Sequence, residues 1–260
     1  MDENKQPIGF FDSGVGGTSI WKEVNALLPH ENTIYLADSK NAPYGLKSKE
    51  EIIALSIKNT EFLLEQNCKL IVVACNTATT NAIDELREKF SVPFIGIEPA
   101  IKPAALQSET HKIGILATKG TLNSELFHEK AKTYTDVQII EQIGHGLVQL
   151  IENGDMDSPE MAELLENYLQ PMIEQNIDYL VLGCSHYPYL IPQIRKIIPS
   201  KITIIDSGEA VAKQTKNILA QQSMLNNSTE PGNNAFYSNS DIEVLRTILN
   251  KKEKVFYLDF

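Results

Sequence analysis

Glu65-Gln66-Asn67-Cys68-Lys69-Leu70-Ile71-Val72-Val73-Ala74-Cys75 and Glu174-Gln175-Asn176-Ile177-Asp178-Tyr179-Leu180-Val181-Leu182-Gly183-Cys184 stand 109 positions apart and share one pattern. Each reads as a helix end, an asparagine just past the cap, a buried strand, and a cysteine at the strand's carboxyl end. Ile8-Gly9 and Ile113-Gly114 form a second matching pair, and Ile97-Glu98 with Ile205-Asp206 a third, in the same order. Three ordered matches describe two similar units in one chain.

Around the repeat, short β-branched runs alternate with helical patterns. Strands are expected at 8–11, 33–37, 70–74, 94–97, 112–116, 137–142, 179–182, 203–205 and 255–258. Most are apolar throughout, as strands covered on both faces of a parallel sheet must be. Ser48-Lys49-Glu50-Glu51 is a capping box, and Ser158-Pro159-Glu160 places a cap, a first-turn proline and an acid at a helix start. The helix from Thr18 sets Ile20, Val24, Leu27 and Leu28 on one side and stops at Pro29. The expected fold is α/β: two similar doubly wound, mainly parallel-sheet domains with the active site between them. Residues 1–98 with 210–260 form the expected Cys75 side, and 99–209 the Cys184 side. Residues 223–234, polar and rich in Asn and Ser, read as an exposed loop before a final strand.

Composition narrows the function. The chain has 260 residues, 42% apolar and 22% charged, which suits a globular protein and excludes a disordered or fibrous one. Lys and Arg number 23 against 34 Asp and Glu, a net charge of −11. That weighs against nucleic acid or an anionic membrane as partner, and any anionic substrate must be captured by local donors. Three cysteines make no disulfide framework. The polar start Met1-Asp2-Glu3-Asn4-Lys5-Gln6 and the short apolar run after it do not form a signal segment, and no stretch approaches the ~20 apolar residues of a membrane span. A cytoplasmic enzyme is expected.

Cys75 and Cys184 both lie outside the carboxyl ends of parallel strands, where open α/β sheets bind ligands. Each also precedes an expected helix, whose N-terminus favours a thiolate. A lone cysteine there reads as a small buried hydrophobe. Two at equivalent positions, followed by Asn76-Thr77 and by Ser185-His186, read as chemistry. Cys68, whose repeat mate is Ile177, keeps the structural reading. A redox pair lacks a C-x-x-C, and a Cys184 nucleophile with His186 as base leaves Cys75 idle. Two thiols on opposite sides of one carbon would invert its configuration, one removing a proton and the other returning one. The symmetry of that reaction matches the symmetry of the repeat.

Asp12-Ser13-Gly14-Val15-Gly16-Gly17-Thr18 follows the first strand. A dinucleotide fingerprint is the competing reading, with Asp38 at the distance of a ribose-binding acid, but Ser19 stands where its third glycine belongs. The glycines better suit backbone N–H groups approaching a carboxylate at a helix start, with Asp12 meeting an ammonium or assisting Cys75. Asp38 leads into the turn before Pro43-Tyr44-Gly45 and reads equally as a solvated turn cap or a functional acid. Glu152, after an apolar run, reads as a helix-surface acid. No histidine has metal-ligand spacing.

Together Phe11-Asp12-Ser13-Gly14-Val15-Gly16-Gly17, Ala37-Asp38 through Pro43-Tyr44-Gly45, Ala74-Cys75-Asn76-Thr77-Ala78-Thr79 and Leu182-Gly183-Cys184-Ser185-His186-Tyr187-Pro188 resemble the motifs of bacterial glutamate racemases over nearly the whole chain. The resemblance implies cofactor-free interconversion of L- and D-glutamate by two cysteines, supplying D-glutamate for peptidoglycan. By position, Cys75 would serve the D-enantiomer and Cys184 the L-enantiomer, with Asp12 and His186 assisting those thiols or binding substrate. Ser13, Asn76, Thr77, Ser185 and the Pro43-Tyr44-Gly45 loop would hold the substrate, and Thr118 falls at a substrate-region threonine. The resemblance also makes Glu152 an assisting acid, against its bland reading. Two departures stand out: Ser185 replaces a usual threonine, and Gly144-His145-Gly146 differs from the residues common before the Glu152 segment. With seven residues before Ile8, no regulation through an N-terminal extension is expected. A homodimer is expected. The rivals are a racemase of aspartate or another small acid, a Cys184–His186 hydrolase that would tolerate loss of Cys75, and a binding module without turnover.

Overall fold

The computed structural model describes residues 3–260; Met1 and Asp2, part of the polar start, lie outside them. Its strands are β1 (Ile8–Asp12), β2 (Thr33–Ala37), β3 (Leu70–Val73), β4 (Phe94–Gly96), β5 (Lys112–Ala117), β6 (Gln138–Ile143), β7 (Tyr179–Gly183), β8 (Thr203–Ile205), β9 (Asn234–Ser238) and β10 (Lys254–Tyr257). The helices are α1 (Thr18–Leu27), α2 (Lys49–Glu65), α3 (Asn76–Lys89), α4 (Ile101–Gln107), α5 (Lys119–Leu122), α6 (Glu125–Lys132), α7 (Leu147–Glu152), α8 (Pro159–Glu174), α9 (Ile191–Ile197), α10 (Gly208–Gln221) and α11 (Glu243–Ile248).

Two parallel sheets carry the fold. One runs β10-β9-β2-β1-β3-β4 and the other β6-β5-β7-β8. Within the first, the order β2-β1-β3-β4 repeats as β6-β5-β7-β8, so the sequence repeat is also a repeat of topology. Asn67 and Asn176, at matching places past α2 and α8, both adopt left-handed backbone with φ near 60°. Gly9 and Gly114 match for a packing reason. A side chain at Gly9 would meet Leu63 and Cys68 at 3.0 Å, and one at Gly114 would meet Ile177 and Met172 at 2.9 Å. Leu63 and Cys68 are the repeat mates of Met172 and Ile177, so each long helix lies against its first strand in the same way. Phe10, Val72, Leu63, Leu180 and Leu165 are fully buried, and burying a side chain of that size stabilises by about 1.5–3 kcal/mol.

Two expectations are corrected. Asn234 is not loop but the start of β9, which pairs along β2 from Thr33↔Asn234 to Ala37↔Ser238. And Cys184 is not followed directly by an α-helix: Tyr187–Leu190 is one 3₁₀ turn leading into α9, because Pro188 and Pro192 bring no N–H to a longer ladder. Residues ahead of β9 are tied down by Lys69, whose Nζ donates to Glu31 at 2.6 Å and to the Met224 carbonyl at 2.9 Å. No helix among the described residues is long and apolar enough to cross a membrane.

Candidate active site

Every functional side chain singled out from the sequence, Glu152 apart, lies at or just beyond the carboxyl end of a strand, or in the loop that follows one. Asp12 ends β1, Asp38 follows β2, Cys75 follows β3, Thr118 follows β5 and Cys184 follows β7. All of the expected substrate and catalytic residues except Asp12 and Glu152 line one narrow cavity. Both cysteines are among them.

Cys75 caps α3: its Sγ accepts the Ala78 N–H at 3.4 Å and its thiol donates toward Ser13 Oγ at 3.7 Å. The cap favours a thiolate, yet burial pushes the Cys75 thiol well above its ordinary value, with the charge of Asp12 adding to the rise. The expectation of a thiolate stabilised by the helix start is therefore reversed; Cys75 is held as a thiol.

On the opposite unit, Cys184 Sγ lies 3.8 Å from His186 Nδ1. His186 Nε2 meets Glu152 Oε1 at 2.5 Å, and Asp12 Oδ2 is 4.0 Å from the same nitrogen. Burial pulls the His186 pKa down, but the hydrogen bonds with Cys184 and Glu152, then the charge of Asp12, outweigh it and leave it well above the ordinary histidine value.

Asp12 stands behind this cavity, fully buried. Its carboxylate accepts the Gly14 and Gly17 N–H groups at 3.1 Å each and the Ser185 hydroxyl at 3.0 Å. Burial, the largest influence, raises its pKa despite the lowering effects of His186 and those donors. Asp12 thus joins the first unit to the loop that carries Cys184.

The glycine turn has a different occupant from the one expected. The carboxylate approaching its backbone is that of Glu152, whose Oε1 accepts the Val15 N–H at 2.7 Å while Oε2 accepts from Ser39 Oγ at 2.8 Å. A Cβ at Gly14 would collide with that carboxylate, and one at Gly16 with the His186 ring. Glu152 is therefore no helix-surface acid but the link between His186 and the glycine turn.

Asp38 is buried and structural in its contacts. It accepts from the Tyr44 hydroxyl, from Asn41 Nδ2 at 2.7 Å and from Asn239 Nδ2 at 2.5 Å. It thereby fixes the Pro43-Tyr44-Gly45 loop over the cavity. Across from that loop, Thr77 Oγ1 meets Thr118 Oγ1 at 2.8 Å, bridging the two units. Asn76 is buried in the cavity lining, and neither polar atom of its amide has a partner among the described residues. A buried amide in that state calls for a polar ligand.

Sequence reasoning missed Ser39, which braces Glu152, and Val148, which supplies an apolar wall. Val148 was hidden inside a run that reads as core, and Ser39 carries no spacing signal at all. Among the described residues no group of three or more His, Cys, Asp or Glu side chains is arranged to hold a metal ion.

The profile of the Asp/Glu/hydantoin racemase family matches residues 17–215. A glutamate racemase from Herpetosiphon aurantiacus is 46% identical over 237 residues, 91% of this chain and 93% of that one. Among solved structures, a Bacillus anthracis glutamate racemase isoform superposes with a TM-score of 0.88 at 30% identity, covering 98% of both chains. The Escherichia coli glutamate racemase, determined with L-glutamate and the activator UDP-MurNAc-Ala, gives 0.86 at 32% identity over 97% of this chain and 98% of that one.

Proposed function

Because this chain belongs to the Asp/Glu/hydantoin racemase family, we infer that it interconverts L- and D-glutamate with two thiols, one taking the α-proton and the other giving a different proton to the opposite face. The observation that carries this reading is that the Cys75 and Cys184 side chains, 109 positions apart, line one cavity. A single-nucleophile hydrolase would need only one of them there.

In the L-to-D direction, Cys184 as thiolate takes the α-proton, and the substrate becomes planar at that carbon. Cys75, a thiol, gives its proton to the opposite face. The C–H bond broken and the C–H bond formed involve different protons, and the enzyme ends with Cys75 ionised and Cys184 protonated. The reverse reaction, or proton exchange with solvent, restores the first state. His186, held by Glu152 and near Asp12, sits where it stabilises the Cys184 thiolate. On this reading the Asn76 amide, whose atoms have no partner among the described residues, holds the carboxylates and amine together with Ser13, Thr77, Ser185, Thr118 and the backbone of the Pro43-Tyr44-Gly45 loop. Donors aimed at the α-carboxylate lower the cost of the charge that develops on it. The reading calls on no cofactor.

D-glutamate made this way serves peptidoglycan synthesis. The domain division belongs to the same reading: residues 1–98 with 210–260 carry Cys75, and 99–209 carry Cys184. So does a homodimer. A reducing, cytoplasmic location goes with it too, since the two working thiols must stay free; both cysteines are unpaired here. The test is incubation with L-glutamate in heavy water. Optical rotation should decay to zero as deuterium enters the α-position of both enantiomers, and faster than for L-aspartate. Preserved rotation without exchange would refute the reading.

A further inference from the structure

The pocket that holds the two cysteines adjoins others. Pro43, Gly45, Thr118 and Val148 are shared between it and an outer cavity. Gly45, Leu46 and Lys119 are shared in turn between that cavity and a surface cleft. Three adjoining pockets, each sharing lining residues with the next, therefore lie between the surface beside Lys119 and the cysteines.

The charge along this path runs against the rest of the chain. Acids outnumber Lys and Arg by 34 to 23 overall. Yet no Asp or Glu lines either outer space, whereas Lys47, Lys49 and Lys119 do, and His145 adds a ring N–H. The three lysines are not equivalent. The charge of Lys47 acts on Glu51. Lys49 also borders a cleft that contains Asp84, Glu85, Glu125 and Glu129. Lys119 is exposed, forms no ion pair among the described residues, and alone of the three lines both outer spaces. Its chain neighbour Thr118 lines the inner cavity.

We propose that Lys119, supported by Lys47 and His145, forms an outer subsite that captures the carboxylates of the incoming acidic amino acid before it passes Gly45 and Thr118. The proposal rests on the glutamate reading above, because only an anionic substrate needs such a site. A chain of net charge −11 repels a glutamate anion at long range. Screening confines that repulsion to roughly 10 Å at 0.1 M salt, the same range over which one unpaired lysine at the mouth reverses its sign.

The experiment compares wild-type enzyme with Lys119→Gln, Lys119→Glu and Lys119→Arg, measuring kcat and KM for both enantiomers of glutamate against ionic strength. Lys216→Glu, an exposed change on α10 that lines neither space, controls for net charge. At low salt kcat/KM should fall about twofold in Lys119→Gln and about four- to fivefold in Lys119→Glu, through KM. Lys119→Arg should match wild type, and all variants should converge with it near 0.5 M salt. An active wild type with Lys119→Glu unchanged, or with Lys216→Glu equally impaired, overturns the outer subsite alone. A wild type that exchanges no α-proton of glutamate overturns the racemase reading and the subsite with it.

Discussion

His186 Nε2 lies 2.5 Å from Glu152 Oε1, and that same oxygen accepts the Val15 N–H at 2.7 Å. One carboxylate oxygen thus fixes the imidazole beside Cys184 to the glycine turn of the opposite unit. Glu152→Gln keeps the shape and removes the charge. A hydrogen bond to a charged group contributes about 1.5–3 kcal/mol, so kcat/KM should fall roughly 10- to 100-fold. Removing the partner that helps raise the His186 pKa should also move the limb of the pH profile that reports His186 to lower pH. Kinetics from pH 6 to 10 read both effects. A variant with wild-type kcat/KM and an unmoved limb would remove Glu152 from the mechanism.

Gly14 and Gly16 should respond differently to the same added methyl group. At Gly14 the collision is with the far end of a flexible Glu152 side chain, which yields by leaving Val15 and His186. Gly14→Ala should therefore lose activity about as far as Glu152→Gln does, with Tm shifted by only a few degrees. At Gly16 the obstacle is a buried imidazole ring, and overpacking of that kind costs about 1–3 kcal/mol. Gly16→Ala should lose both activity and Tm. Thermal melts beside initial rates separate the two; equal losses of Tm would contradict the account.

The doubling of the sheet was readable because each copy must solve the same local problem. A left-handed residue has to turn the chain from helix into a buried parallel strand, and asparagine does this in both copies. What was not readable depends on distant partners. β9, Asn234-Ala235-Phe236-Tyr237-Ser238, has polar ends and becomes a strand by pairing with β2, with Thr33 and Asn234 bonded across 201 positions. Glu152 takes its role from Val15 and Ser39, 137 and 113 positions away, and no local pattern encodes those contacts. The Cys75 capping geometry was legible, whereas the pKa direction was not, since burial by surrounding elements outweighs the helix start.

Cys75 and Cys184 should be separable by isotope exchange. With Cys75→Ala, Cys184 still faces the α-proton of L-glutamate but nothing protonates the other face. Racemisation should drop by at least about a hundredfold, the lower end of what a general acid or base supplies. Deuterium should nevertheless still enter L-glutamate without inversion. Cys184→Ala should show the mirror behaviour, exchanging D-glutamate alone. Nuclear magnetic resonance of the α-proton in heavy water, with chiral analysis of the product, reads both. Near-normal racemisation by Cys75→Ala would point to one working thiol.

Cys68 offers a stability test that leaves the catalytic groups untouched. It is buried beside Gly9 and Leu63, and burial pushes its thiol from 9.0 up to about 12. The folded chain therefore keeps this proton at a pH where the unfolded chain has released it. Folded protein binds more protons between the two values, so stability falls as pH rises from about 9 and stops falling near 12. For one thiol the slope reaches about 1.4 kcal/mol per pH unit. Cys75 is shifted in the same direction and adds to the decline. Cys68→Val fills a similar apolar volume and cannot ionise. Urea unfolding from pH 8 to 10.5 should show a shallower decline for Cys68→Val than for wild type, by up to one thiol's worth. Tyrosines and lysines titrate alike in both proteins and cancel in that difference. Parallel curves would mean that Cys68 ionises in the folded chain as readily as in the unfolded one, against its burial.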